Sequence, residues 1–297
     1  MYLELIARGD GLGANLTFFI GQFIFAINNK LYIKYNRNNI LEWNNGSSHC
    51  SNLNMDIKEL YDSIFIQTLF DMIDNYNKTY IGDEGELLNF NDQDYYSISK
   101  SVIDVKCDLI SYFKKNIYDE NILLDKAIDR GYKIDFDIKK TILVHLRLLD
   151  VRDTPDYDGS LCSSYLEEKI NNDEIITYQD GRYLFDKNLN KQSPISYSRI
   201  EEQIKKCLEK NPTYEVVIIT SPGEDNHLPY RYIQSEDYNY DLFLLTRSEC
   251  VILSRSTFGL SSLFFGKQKE VYLPLWGHLS IFGLHTKYDN TEYSYFI

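Results

Sequence analysis

The sequence predicts an α/β fold built in two halves. Three observations lead there. The chain opens as strand, glycine turn, helix, strand. Alternation of buried strands and helices restarts near Lys139. The connections in that second run are short, as parallel sheets favour. A length of 297 residues agrees with two domains of roughly 150 residues each. The boundary falls near 130–138, giving halves 1–135 and 136–297 and a ligand cleft between them.

In the first half, Tyr2-Leu-Glu-Leu-Ile-Ala7 alternates and reads as a strand. Gly9-Asp-Gly-Leu-Gly13 turns the chain into an apolar helix over Asn15–Asn28, and Lys30–Tyr35 is the next strand. Met55–Tyr76 reads as one helix, with Leu60, Ile64, Leu69, Met72 and Ile73 on a common face. Gly82–Asp94 is acidic and polar, a surface loop. Ile98, Val102, Val105, Leu109 and Phe113 recur at helical spacing, predicting an amphipathic helix over Ser97–Ile117.

In the second half, Thr141–Leu146 is almost wholly apolar, as a strand covered on both faces must be. Asp150–Ser163 is a polar loop. Ile200, Ile204, Cys207 and Leu208 mark a helix opened by a capping box at Ser198 and Glu201. Tyr214–Thr220 is a buried strand and Tyr240–Ser248 a helix. Cys250–Leu253, Thr257–Phe265 and Glu270–Pro274 follow as strand, helix and strand.

Composition narrows the function. Lys and Arg number 31 against 44 Asp and Glu, a formal net charge of −13. That excludes a general nucleic-acid binder and a protein that docks on anionic lipid. Any anionic ligand needs a local positive site working against the overall field. With 43% apolar and 25% charged residues the chain is a folded globule. The five Cys form no C-x-x-C pair, so no zinc or thioredoxin motif is present; reduced thiols in a cytoplasmic compartment are expected. The apolar run Leu16–Ile27 is interrupted by Gln22, too short to span a bilayer, and starts too late for a signal peptide. Sequons at Asn15, Asn45 and Asn77 matter only in a secreted protein.

Three stretches have the chemistry of an anion site. Arg8-Gly-Asp-Gly-Leu-Gly-Ala-Asn15 places glycines between strand and helix, where backbone N–H groups approach a ligand closely. It fits the loose dinucleotide fingerprint, but Lys30–Asn39 lacks the acidic residue that a nicotinamide site wants. A tight turn needing small residues explains it equally. In Val144-His-Leu-Arg-Leu-Leu-Asp150, Arg147 leaves a buried strand and needs an anion: a ligand phosphate, or Asp150 or Asp153 in a structural ion pair. His145 alternates with Arg147 onto the same side of the strand; a hydrogen-bonded core histidine is its bland alternative. In Leu253-Ser-Arg-Ser-Thr-Phe-Gly259 a strand ends and a helix begins; hydroxyls, free N–H groups and Arg255 make an anion site, or Ser256 and Thr257 simply cap. No G-x-x-x-x-G-K-[ST] loop, G-x-S-x-G elbow or clustered His/Asp set accompanies them. Charge on a departing phosphate then falls to Arg147 and the helix start.

These stretches, in this order, resemble the inverting fucosyltransferase superfamily of GT-B fold, which includes α-1,2-, α-1,6- and protein O-fucosyltransferases. Gly11-Leu-Gly-Ala-Asn15, with Phe18, Phe19 and Ala26 behind it, is similar to the family's G-x-G-N loop and helix, with Ala14 as one extra residue. His145-Leu-Arg-Leu-Leu-Asp150 resembles H-x-R-R-x-D, with Leu148 in place of the second Arg. Ile252–Phe258 is similar to the late S-x-S-T-F motif. The acidic pair that usually follows the intervening strand comes later here, as Glu224-Asp225 after Ser221-Pro-Gly.

The resemblance implies two facing Rossmann-like domains, the first on the acceptor side and the second binding a nucleotide sugar. It implies metal-independent, inverting transfer of a sugar, usually fucose, from a GDP-sugar to a glycan or related acceptor, with no cofactor. Arg147 falls on the Arg that contacts the donor β-phosphate. Gly11, Gly13, Asn15, His145, Asp150, Arg255, Ser256, Thr257 and Phe258 fall at donor-contacting motifs. No stretch like the membrane anchor of Golgi members opens the chain, so a cytoplasmic enzyme is the expectation. Inversion needs a base for the acceptor hydroxyl. Asp10, in the glycine turn, is the candidate, with a capping role as its alternative; Asp150 is the rival, made a weaker base by Arg147. A second class stays open: a binding module that kept the fold and lost the chemistry.

Overall fold

The computed structural model describes residues 1–8, 11–41, 57–80, 85, 87–88, 109–147, 194–225, 227–274 and 291–296. The chain is α/β and divides into two compact units, Met1–Tyr132 and Lys133–Ile297, each with its own parallel sheet.

In the first unit, β1 (Tyr2–Arg8), β2 (Tyr32–Leu41) and β3 (Leu87–Leu88) form a sheet in the order β2-β1-β3. Leu3, Leu5 and Ala7 are fully buried while Tyr2 and Glu4 are half-buried, the period of two that the sequence displays. The parallel β1–β2 pair needs a crossover, supplied by α1 (Leu12–Asn28). This helix starts three residues earlier than its pattern suggests. Gly11 caps it in extended backbone, and the apolar Leu12 gains burial by joining the first turn.

The single helix expected over Met55–Tyr76 is two, α2 (Ile57–Asp62) and α3 (Ile64–Thr79). Ser63 breaks it: its hydroxyl accepts from the N–H of Phe65 and caps α3 from extended backbone. Asn77 of α3 closes the edge of β2, accepting from Ile33 N–H at 3.1 Å and donating to Ile33 C=O at 2.7 Å. Of the helix expected over Ser97–Ile117, α4 (Leu109–Asn116) is described, with Leu109 and Phe113 buried; 97–108 lie outside the described residues. The sequence reading missed α5 (Glu120–Asp129), whose buried stripe is only Leu123 and Ala127.

The second unit holds β4 (Thr141–His145), β5 (Glu215–Ile219), β6 (Arg231–Ile233), β7 (Cys250–Ile252), β8 (Glu270–Pro274) and β9 (Glu292–Phe296). All neighbours are parallel, in the order β6-β5-β4-β7-β8-β9. Numbered from one within the unit, that is 3-2-1-4-5-6, a doubly wound sheet. Every side chain of β4 is buried, as its apolar run requires. Ile142 and Val144 pack with Ile200, Ile204 and Cys207 of α6 (Tyr197–Lys210) in one cluster. Among the described residues this unit also holds α7 (Tyr238–Arg247) and α8 (Thr257–Phe265), which pack on each other.

The cap of α6 is Ser196, not Ser198, and its hydroxyl lies 3.2 Å from that of Ser198. Ile195 and Ile200 share the apolar cluster, so a hydrophobic staple sets the start rather than a capping box. Sequence patterning missed β6 and β9. The three residues of β6 are too few to show a period, and β9 is mostly Tyr, Glu and Ser. Cys207 and Cys250 are free and buried. Among the described residues no helix is long and apolar enough to cross a membrane.

Candidate functional site

The register of β4 on β7, Val144 opposite Ile252, brings the carboxyl ends of these strands level. The two stretches singled out separately in the sequence, 144–147 and 253–259, therefore meet. They meet where the strand order reverses: β4 leads away to β5 and β6, and β7 to β8 and β9. In open α/β sheets such a reversal leaves a crevice outside the carboxyl edge, where ligands bind.

His145 ends β4 on the face opposite Ile142 and Val144, because side chains alternate. It is buried, its Nδ1 lies 2.8 Å from Ser254 Oγ, and its ring packs tilted against Phe258 with centroids 5.5 Å apart. Gly259 closes over the ring: a Cβ there would lie 2.9 Å from His145 Nδ1.

Two residues further, half-buried Arg147 donates from Nη1 to the backbone carbonyl of Arg255 at 3.4 Å. Its guanidinium thus stands against the turn that opens α8. Arg255 itself is 1% exposed, the largest fully buried side chain described. It adds internal positive charge to the turn and does not present a guanidinium at the surface.

Ser256 is the N-cap of α8, its Oγ accepting from Phe258 N–H at 3.2 Å. The capping role weighed in the sequence is what this hydroxyl performs. Half-buried Thr257 is the first helical residue, and the first turn carries no acid. The positive end of the helix dipole is therefore not offset by a carboxylate from its own first turn. Beside β4, Thr220 follows β5 with its hydroxyl buried and no hydrogen-bond partner. Gln234 pins the next loop by donating to Glu224 C=O at 2.7 Å, around Gly223 at φ +83°. That loop holds the late acidic pair: Glu224 is buried and Asp225 exposed.

The sequence reading missed Asp241. It lies in the first turn of α7, is 8% exposed, and its Oδ1 has no hydrogen-bond partner. Burial, then the nearby charge of Asp237, pushes its carboxyl up to about 8. The available signal was an acid four residues after the capping Asp237, leading directly into the apolar Leu242–Leu245.

Gly11, Gly13 and Asn15 belong to the first unit. Gly11 has φ −67°, and a Cβ there would meet nothing within 4 Å, so neither backbone nor crowding demands glycine. Gly13 and Asn15 are buried inside α1, and Asn15 Nδ2 donates to Gly11 C=O at 3.3 Å. Of the expected turn, Gly11 is the helix cap, Leu12 and Gly13 belong to α1, and Gly9 lies outside the described residues. Asp10, Leu148, Asp150 and Asp153 lie outside the described residues. Among the described residues no three His, Cys, Asp or Glu are placed to hold a metal ion.

The arrangement can bind a compact anion: one guanidinium, one helix start with no acid in its first turn, and a buried positive charge behind them. Comparisons with protein-family models, curated proteins and solved structures found no match to this chain.

Proposed function

We propose that this protein is an inverting glycosyltransferase that takes a GDP-sugar, GDP-fucose first, and passes the sugar to a glycan or related acceptor. One observation carries the reading: Arg147 and the start of α8 converge at the reversal of a 3-2-1-4-5-6 parallel sheet. That is where such sheets take nucleotides, and two positive groups suit a diphosphate. The two units, each with its own parallel sheet, are compatible with a GT-B enzyme whose donor rests on the second.

In this reading the acceptor oxygen attacks the anomeric carbon from the face opposite the diphosphate. The C–O bond to the β-phosphate breaks, and its electron pair leaves with GDP. Arg147 and the α8 dipole neutralise that charge without a divalent ion, and the acceptor proton passes to Asp10. His145, Asp150, Thr257 and Phe258 contribute donor contacts, with Ser256 shaping the helix start. Gly11, Gly13 and Asn15 shape the start of α1.

Calorimetry in EDTA tests the proposal. GDP is expected to bind the wild type, and Arg147→Ala to lose that binding while melting as before. Transfer from GDP-fucose should fall about 10²–10³-fold in the variant, the usual cost of removing one preorganised charge stabiliser. Failure to bind GDP, or full transfer by a folded Arg147→Ala protein, would falsify it.

A further inference from the structure

We propose that Ser254 and Gly259 are positioning residues that lock the His145 ring in one orientation for ligand recognition. The proposal deepens the nucleotide reading above and rests on it for the ligand.

Three contacts define the clamp, one from the exit of β7 and two from the first turn of α8. Ser254 Oγ lies 2.8 Å from Nδ1 inside the unit, with Ser254 only 5% exposed. The Phe258 ring packs at 5.5 Å, which limits rotation of the imidazole plane. At Gly259 the space that any other residue would fill with Cβ lies 2.9 Å from the same Nδ1. That separation is closer than real Cβ contacts, so an alanine must displace either the ring or the first turn of α8. Gly259 is helical and buried, and its φ is not positive. Its small size therefore serves this close approach and not backbone geometry.

A neutral imidazole donates from one nitrogen and accepts at the other, and a serine hydroxyl can meet either. Ser254 therefore holds Nδ1 in place whichever nitrogen carries the proton. A serine on β7's exit thus positions a histidine on β4, and the pairing exists only because the two strands are neighbours.

The experiment reads ring ¹⁵N resonances of His145 and GDP affinity in Ser254→Ala, Gly259→Ala and a control, Ser261→Ala. The chain has five His, so comparison with His145→Gln assigns the ring. Ser261 is fully buried on the same helix and bonds only to the Phe258 carbonyl at 2.7 Å among its described contacts. A single locked nitrogen pattern is expected in the wild type. Ser254→Ala should shift it by removing the partner of Nδ1, Gly259→Ala should shift it by crowding the ring, and each should weaken GDP about tenfold. Ser261→Ala should alter neither.

Unchanged ring resonances in Ser254→Ala overturn the proposal, and so does a ring that moves while GDP affinity stays at the wild-type value. If Gly259→Ala does not fold, Ser254→Ala decides alone. A wild-type chain that binds no GDP overturns the nucleotide reading instead, and the ring resonances still report whether the clamp exists.

Discussion

Asp241 shows how one residue can oppose the fold that buries it. Its carboxyl titrates near 8 because burial disfavours the charge and Asp237 repels it. The folded chain therefore keeps a proton that the unfolded chain releases above about 4. Linkage then requires stability to fall as pH rises from about 4 to about 8 and to level off beyond. Asp241→Asn keeps the shape and removes the titration. Its melting temperature should exceed that of the wild type by several degrees at pH 8, with little difference at pH 4. Parallel melting curves that keep the same separation at both pH values would remove Asp241 from this role.

At the scale of elements, the start of α8 combines two properties that one substitution can separate. Ser256 stabilises the helix as its cap, a role that alanine loses at a cost of about 1 kcal/mol. Aspartate caps as well as serine and suits the helix dipole. Yet it places a negative charge beside Arg147's anion site. Ser256→Asp should hold the melting temperature near wild type while GDP binding falls at least about tenfold, since like charges in contact cost several kcal/mol. Ser256→Ala should do the reverse, melting earlier and binding GDP nearly as well. If Ser256→Asp binds GDP like the wild type, the helix start is a structural cap and not an anion site. Element boundaries follow the same competition between local groups. Ser63 starts α3 through its hydroxyl, inside a stretch whose apolar spacing ran on unbroken, and Ser196 starts α6 beside a staple, two residues before the expected cap at Ser198.

For the whole molecule, the two units have separate sheets, and the second has its own apolar cluster spanning α6 and five of its strands. Lys133–Ile297 made alone should therefore unfold in one cooperative thermal transition and retain GDP binding. A non-cooperative melt would make its folding depend on the rest of the chain. The sequence by itself determined the element types, since the period of two in Leu3, Leu5 and Ala7 and the unbroken apolar run of β4 follow from which faces must be dry. It also determined that His145, Arg147 and Ser256 stand at strand exits or a helix start, because those places are written in local pattern. Only the tertiary structure decided that the exits of β4 and β7 are neighbours. Strand order depends on pairings between residues more than 100 positions apart, as in Ile142 with Cys250, and no local period encodes which strand lies beside which. The same pairing set Gly259 of α8 against the His145 ring, and burial made Asp241 hold its proton, because contact and desolvation arise only once distant segments share one interior.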